Sequence, residues 1–249
     1  IDGSCAAVHD LSRPPVSFER ALRGLRLLKE KGFPVTVRVT INRHNVHDLP
    51  NIARLLLDDV GLNSFGTNSA DRFGSARCYG QDVVLSKDEW DFAVKIMKDL
   101  ITKYPEHINA AAGPLAFAEN VAEIEAAMAE GKTGLPRRGK LSACGGVFSK
   151  MGILHDGSIV PCNMLPTMVM GKIGETSLRE AWLLGHHINV LRRRYSTPIT
   201  TIPGCEDCRF AGFCTGGCPA VVFAQHNTLD AVDRENCYKK YVERKNVPV

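Results

Sequence analysis

Apolar positions recur at helical spacing in three stretches of the first half of the chain. In SFERALRGLRLLKEKG (Ser17 to Gly32), Phe18, Leu22, Leu25 and Leu28 share one stripe, a serine reads as the cap, and glycine ends the run. LPNIARLLLDDVG (Leu49 to Gly61) predicts a shorter amphipathic helix with proline in its first turn. SKDEWDFAVKIMKDLITKYP (Ser86 to Pro105) carries the clearest signal, because a Ser-x-x-Glu box precedes Trp90, Phe92, Val94, Ile96, Met97, Leu100 and Ile101. Between them lie β-branched runs: FPVTVRVTIN, ending at Asn42, predicts a strand, and LNSFGTNS a second one leading into the loop DRFGSARCYGQD.

Strands separated by helices of this length imply parallel crossover units in an α/β domain. The alanine-rich AFAENVAEIEAAMAEG reads as helix or as a partly flexible insert. After it, GKTGLPRRGK shifts to glycine, proline and basic residues, which places a domain boundary near residue 136 and divides the chain into 1–135 and 136–249. Only two α/β repeats fit before that boundary, too few for a closed barrel, so the chain reads as starting within a domain.

Composition narrows the function classes. With 31 basic against 27 acidic residues the net charge is only +4, and no basic face is interleaved with aromatics, which argues against nucleic acid as a partner. No apolar run approaches membrane-spanning length, and IDGSCAAVHD lacks the basic and apolar regions of a signal peptide, so a membrane role is not expected. The nine cysteines change the picture more: seven lie between Cys144 and Cys237. An odd count without a secretory signal favours metal or cluster ligation in a reducing, cytoplasmic compartment over a disulfide framework.

GCEDCRFAGFCTGGCPA gives Cys205-x2-Cys208-x5-Cys214-x3-Cys218-Pro, and Cys237 follows eighteen residues later. Gly204, Gly212, Gly216 and Gly217 let the backbone wrap closely and turn its N–H groups toward an inorganic core. The C-x3-C-P ending resembles the bacterial ferredoxin pattern in which the last cysteine crosses to a second cluster. Upstream, MGILH and SIVPC flank Asp156-Gly157, a strong hairpin signal that brings Cys144 and Cys162 within reach of one metal. Seven gathered cysteines suggest three for one centre and four for another. Structural zinc, which also favours C-x2-C corners, and disulfides are the competing readings.

These residues resemble the seven-cysteine SPASM domain found at the C-terminus of many radical S-adenosylmethionine enzymes. The resemblance implies one auxiliary iron–sulfur cluster on Cys144, Cys162 and Cys218 and a second on Cys205, Cys208, Cys214 and Cys237, both of the 4Fe–4S type. The N-terminal half, from IDG-x5-HD-x2-RP-x2-SFERALRGLRLLKEKG through VTVRVTINRHN, is similar to the second half of that family's partial (β/α)6 barrel, starting at the end of its fourth strand. The family's CxxxCxxC motif is absent from these residues. By the same resemblance it lies upstream of Ile1 in a longer parent, where it binds a third 4Fe–4S cluster beside S-adenosylmethionine.

Site residues outside the cysteines follow from the same resemblance. Asp2, His9, Asp10 and Arg13 form a loop bordering the S-adenosylmethionine pocket, where Arg13 either contacts the cofactor or pairs with Asp10. Asn42, at the end of its strand, is placed to hold an adenosyl or amino-acid group. Arg77 faces the cavity or is a surface cation. Cys78 is the candidate fourth ligand for the three-cysteine cluster or a buried thiol, and Cys5 is a loop thiol. His44, Asn45 and His47 read as polar loop residues. His186 and His187, being adjacent, form no i,i+4 metal pair. The run Arg192 to Arg194 finishes a helix as a solvated face, or docks an acidic leader peptide.

The implied activity is a radical S-adenosylmethionine enzyme that crosslinks or oxidises a side chain of a ribosomal peptide or protein. Its expected partners are the peptide substrate, a leader-recognition domain and a reductant such as flavodoxin or ferredoxin. Formylglycine formation of the sulfatase-maturase type is the alternative within the group. A non-enzymatic ferredoxin-like electron-transfer module and a zinc-stabilised interaction module are the alternatives outside it.

Overall fold

The computed structural model describes residues 1–71, 76, 82–110, 112–142 and 144–245, so Arg77 and Cys78 lie outside the described residues. The chain divides into two compact units, Ile1–Ala122 and Glu123–Val249.

In the first unit β1 (Val37–Ile41), β2 (Phe65–Ser69) and β3 (Ile108–Ala110) form a parallel sheet in that order, with Val37 opposite Phe65 and Phe65 opposite Ile108. In β1, Val37, Val39 and Ile41 face the core and Arg38 faces away, the period-two pattern of a half-covered strand. The helices that accompany the sheet up to β3 include α1 (Ala6–His9), α2 (Ser17–Glu30), α3 (Leu49–Ala53) and α4 (Lys87–Lys103). The chain after α3 continues with π winding over Arg54–Asp59, which carries Leu55 and Leu56 inward. Ile41, Ile52, Leu56 and Met97 are fully buried and join these elements in one core.

The box before α4 forms as its sequence predicts, with Glu89 N donating to Ser86 Oγ at 3.2 Å and Ser86 N donating to Glu89 Oε2 at 2.7 Å. The start of α2 does not. Ser17 lies inside the helix, and the residue at its N-cap, Val16, is left-handed with φ 64° and provides no side-chain cap. Asp10 does that work from outside the helix: its carboxylate accepts from Val16 N at 2.8 Å and from Ser17 Oγ and Phe18 N at 3.2 Å. Asp10→Ala is expected to cost about 1–2 kcal/mol of folding free energy in chemical denaturation, and Asp10→Asn less, since an amide oxygen still accepts.

The alanine-rich stretch is an ordered helix, α5 (Pro114–Ala129), rather than a flexible insert, with Leu115, Ala118 and Val121 buried. Its end belongs to the second unit, where Ile124 and Ala127 pack with Phe210 and Phe213. Residues 123–135 thus lie in the second unit although the composition shifts only near residue 136. Strand β3 is absent from the sequence reading because it has three residues, of which Ile108 alone is buried and apolar.

The second unit opens on the hairpin. β4 (Gly152–Ile153) and β5 (Ser158–Val160) pair antiparallel with Ile153 opposite Ile159, and β6 (Gly171–Lys172), not anticipated from sequence, adds to β5. Gly157 supplies the left-handed turn residue at φ 83°, while the Asp156 carboxylate accepts from Ser158 N and Oγ. Among the described residues, the short α-helices α6 (Leu178–Leu184), α7 (His186–Arg193), α8 (Pro219–His226) and α9 (Tyr238–Arg244) follow. Among the described residues no helix is long and apolar enough to cross a membrane.

Candidate metal centre

The backbone from Cys205 to Cys214 advances in successive tight turns. Cys208 N donates to Cys205 O, Ala211 N to Cys208 O and Cys214 N to Ala211 O, so each third residue begins the next turn. Around this spiral pack Leu141, Ile199, Ile202 and Val232. Gly216 and Gly217 follow with φ 79° and 76°, and at Gly216 a Cβ would meet Leu141 Cδ2 at 2.4 Å, so neither conformation nor space admits a side chain. The freed Gly216 N–H donates to Cys214 Sγ at 3.3 Å. Cys218 precedes α8, and the amides of Ala220 and Val221 are directed to its sulfur.

Two further contacts bring the distant cysteines in. Gly139 N donates to Cys214 O at 2.8 Å and Ser142 N to Thr215 O at 2.9 Å, which draws the segment before Cys144 alongside the spiral. Asp233 ties the last cysteine down: its N–H donates to Gly216 O, its Oδ1 accepts from Glu235 N and Asn236 N, and its Oδ2 accepts from Asn236 Nδ2 at 2.6 Å. Cys237 is the next residue. Asp233 escaped the sequence reading, although an Asp followed at the second and third positions by amides it can accept, just ahead of a ligand-type cysteine, is a legible turn signal.

All eight cysteines among the described residues are free thiols, which removes the disulfide reading for them. Their mutual electrostatics fall into two sets. Burial pushes the Cys214 thiol up to about 11, the Gly216 amide opposes this, and Cys237, Cys205 and Cys208 add to it. Cys205 is likewise raised by burial, with Cys208 and Cys237 among the charges it feels. Cys218 is raised by burial against the amides of Val221 and Ala220, and the thiols that act on it are Cys144 and Cys162. Among the described residues no three Cys, His, Asp or Glu side chains close to metal-holding distance. The chemistry nevertheless fits a soft, thiolate-bound centre: buried sulfurs with backbone N–H groups aimed at two of them, and positive-φ glycines that keep side chains out of the way.

In the first unit the polar residues singled out near the N-terminus form one satisfied network at the carboxyl end of β1. Asp2 accepts from Thr40 N and Arg13 Nε, each at 2.7 Å, so Arg13 pairs with Asp2 and not with Asp10. Asn42 is buried; its Oδ1 accepts from His44 N at 2.9 Å and its Nδ2 donates to Thr40 O at 3.1 Å. Asn45, fully buried, donates to the carbonyls of Asp2 and Thr40. Cys5 is exposed at the start of α1. On the neighbouring strand β2, Thr67 Oγ1 and Asn68 Oδ1 are buried without a partner among the described residues, as is Trp90 Nε1. Orphaned acceptors and donors of this kind ask for a ligand or water. Nothing in the sequence pattern distinguished them.

His9 adds a titration to this network. Its Nδ1 accepts from Asp2 N at 2.9 Å, and burial, opposed by the carboxylates of Asp2 and Asp10, holds the imidazole below its ordinary range. The unfolded chain therefore takes up the proton first as pH falls, so the stability carried by neutral His9 is present above about 6.5 and is lost as pH drops through the folded value. Unfolding free energy is expected to start declining as pH falls toward about 6.5, and His9→Gln to flatten that slope.

Comparison with known proteins follows the same division. Residues 144–209 match the SPASM family, an iron–sulfur cluster-binding domain. Over 226 residues, 88% of this chain, the sequence is 26% identical to the AdoMet-dependent heme synthase of Nitratidesulfovibrio vulgaris and 25% identical to that of Oleidesulfovibrio alaskensis. The chain spans 58% and 55% of the length of these relatives. In fold it is similar to native anSMEcpe with bound AdoMet and Kp18Cys peptide, with a TM-score of 0.64 at 14% identity over 98% of this chain and 65% of that one. It is also similar to Streptococcus suis SuiB bound to precursor peptide SuiA, with a TM-score of 0.60 at 14% identity over 88% of this chain and 48% of that one. The α/β unit followed by a cysteine-rich unit resembles the barrel-plus-SPASM architecture.

Proposed function

We propose that the chain belongs to the radical S-adenosylmethionine enzymes that carry a SPASM domain, and that it is part of an oxidoreductase that modifies a side chain of a peptide or protein. The observation that carries this reading is the gathering of the cysteines by the fold: tight turns pack Cys205, Cys208 and Cys214 around one core with Cys237 anchored through Asp233 as one neighbourhood, and Cys218 lies with Cys144 and Cys162 as the other. Each neighbourhood would hold one auxiliary iron–sulfur cluster, three cysteines on the first and four on the second. When bound, such clusters supply one-electron redox capacity, and the cofactor of the complete protein supplies the hydrogen-abstracting radical.

This chain's own residues do the positioning. The amides of Gly216, Ala220 and Val221 offset negative charge on Cys214 and Cys218, and Asp233 fixes the approach to Cys237. Toward the carboxyl end of β2, Thr67 and Asn68 hold buried polar atoms without a partner among the described residues, on the side of the fold where ligands of α/β proteins bind. Arg13 and Asp2 hold the loop beside it. A peptide substrate is supported by the two structures of similar fold that hold peptides.

A second reading, chemistry on a small-molecule heme precursor, is favoured by the sequence similarity to the two heme synthases. The full-length protein, reconstituted with iron and sulfide and reduced in the presence of S-adenosylmethionine, is expected to release 5′-deoxyadenosine and to change the mass of a peptide substrate, for which any short peptide encoded beside its gene is the first probe. Turnover of a heme precursor in place of the peptide selects the second reading. Absence of 5′-deoxyadenosine contradicts both.

A further inference from the structure

The basic run Arg192 to Arg194 is not the solvated face expected of it. Arg192 stacks over the Trp182 ring at 4.5 Å, donates from Nη1 to Trp182 O at 2.7 Å and from Nε to Val147 O at 3.0 Å. Tyr195 donates its hydroxyl to the Cys144 carbonyl, and its ring meets Phe148 edge-on at 4.7 Å. The run thus grips both ends of the turn that begins at Cys144. Arg194, between these two clamps, is 3% exposed. Its Nε donates to Leu229 O at 2.7 Å and its Nη2 contacts Ala231 O at 3.4 Å, so main-chain carbonyls rather than a carboxylate satisfy it. The charges it feels across space are Asp230, then the Cys218 and Cys144 thiols.

Burying a guanidinium without a hydrogen-bonded counter-ion is costly, so a fold that does so next to two candidate ligands has placed a fixed positive charge there. We propose that Arg194 is a positioning residue that raises the reduction potential of the cluster held by Cys144, Cys162 and Cys218, with Asp230 as the opposing charge. The proposal rests on the reading of those cysteines as cluster ligands. One-electron reduction by dithionite leaves that site one unit more negative, with no bond made or broken, and a nearby buried cation favours the more negative form. Asp230 is exposed, so its carboxylate offsets Arg194 only in part.

The test is a redox titration followed by electron paramagnetic resonance on the anaerobically reconstituted chain. At a fixed potential, Arg194→Gln is expected to lower the reduced-to-oxidised ratio of this cluster about tenfold, equivalent to about 59 mV for a one-electron couple. Arg194→Lys, which keeps the charge, stays near the wild type. Asp230→Asn moves the ratio the other way, and the cluster of Cys205, Cys208, Cys214 and Cys237 does not shift in any of the variants. Equal shifts in Arg194→Gln and Arg194→Lys, or an Asp230→Asn shift that is absent or of the same sign, overturn the proposal. Asp230→Asn carries the test alone where Arg194→Gln does not fold. Wild-type protein that takes up no iron and sulfide instead overturns the cluster reading beneath it.

Discussion

Cys214→Ala is expected to remove about half of the iron and sulfide that the reconstituted chain holds, and Cys144→Ala the other half, the two losses being additive in the double variant. The reasoning is that the thiols form two neighbourhoods rather than one. Burial raises both Cys214 and Cys218, and the thiols that add to it are Cys237, Cys205 and Cys208 for the first and Cys144 and Cys162 for the second. A cluster that loses one of its three or four cysteine ligands is left too few thiolates to stay bound, and alanine offers no replacement donor. The Cys144 segment meets the spiral through the bonds of Gly139 N to Cys214 O and Ser142 N to Thr215 O and through Leu141, none of which involves a cysteine sulfur, so loss of one cluster is expected to leave the other's ligands in place. Metal analysis together with the visible charge-transfer absorbance of each variant reads the result. Loss of all iron in both single variants would mean one shared centre.

Gly217→Ala is expected to destabilise the second unit by about 3 kcal/mol, combining about 1–2 kcal/mol for a left-handed non-glycine residue with a similar amount of overpacking. Gly217 has φ 76°, and a Cβ there would lie 2.4 Å from the Asp233 Cβ. Asp233 cannot retreat without breaking its bonds to Gly216 O, Glu235 N and Asn236 N, the contacts that hold the chain just before Cys237. Gly174 is the control: its φ is 89° but nothing lies within 4 Å of a Cβ, so alanine there adds backbone strain alone. Chemical denaturation of both variants separates the two contributions, and equal losses at the two positions would contradict the steric part of the argument.

Much of this was legible in sequence wherever the deciding interaction is local. Asp156-Gly157 announces the hairpin because its turn needs a left-handed glycine, and Ser86 with Glu89 announces α4 because the box closes within one turn. What sequence missed depends on residues far apart in the chain or on elements too short to carry a period. The cap of α2 comes from Asp10, seven residues before Ser17, across a loop that no capping pattern spans. β3 has three residues and no alternation to detect. Arg194 reads as a surface cation because its acceptors, the carbonyls of Leu229 and Ala231, lie 35 and 37 residues away and main-chain acceptors leave no mark in composition. The same holds for Thr67 and Asn68, whose missing partners become visible only when the sheet is assembled.

The central claim is that Cys144, Cys162 and Cys218 hold one iron–sulfur cluster and Cys205, Cys208, Cys214 and Cys237 a second. Mössbauer spectroscopy of the anaerobically purified, iron-57-labelled chain, read beside its iron, sulfide and zinc content, tests it most directly. Two spectroscopically distinct clusters with iron matched by sulfide, one of them lost in Cys144→Ala, are the predicted result. Zinc without sulfide, or a single cluster indifferent to Cys144→Ala, would contradict it.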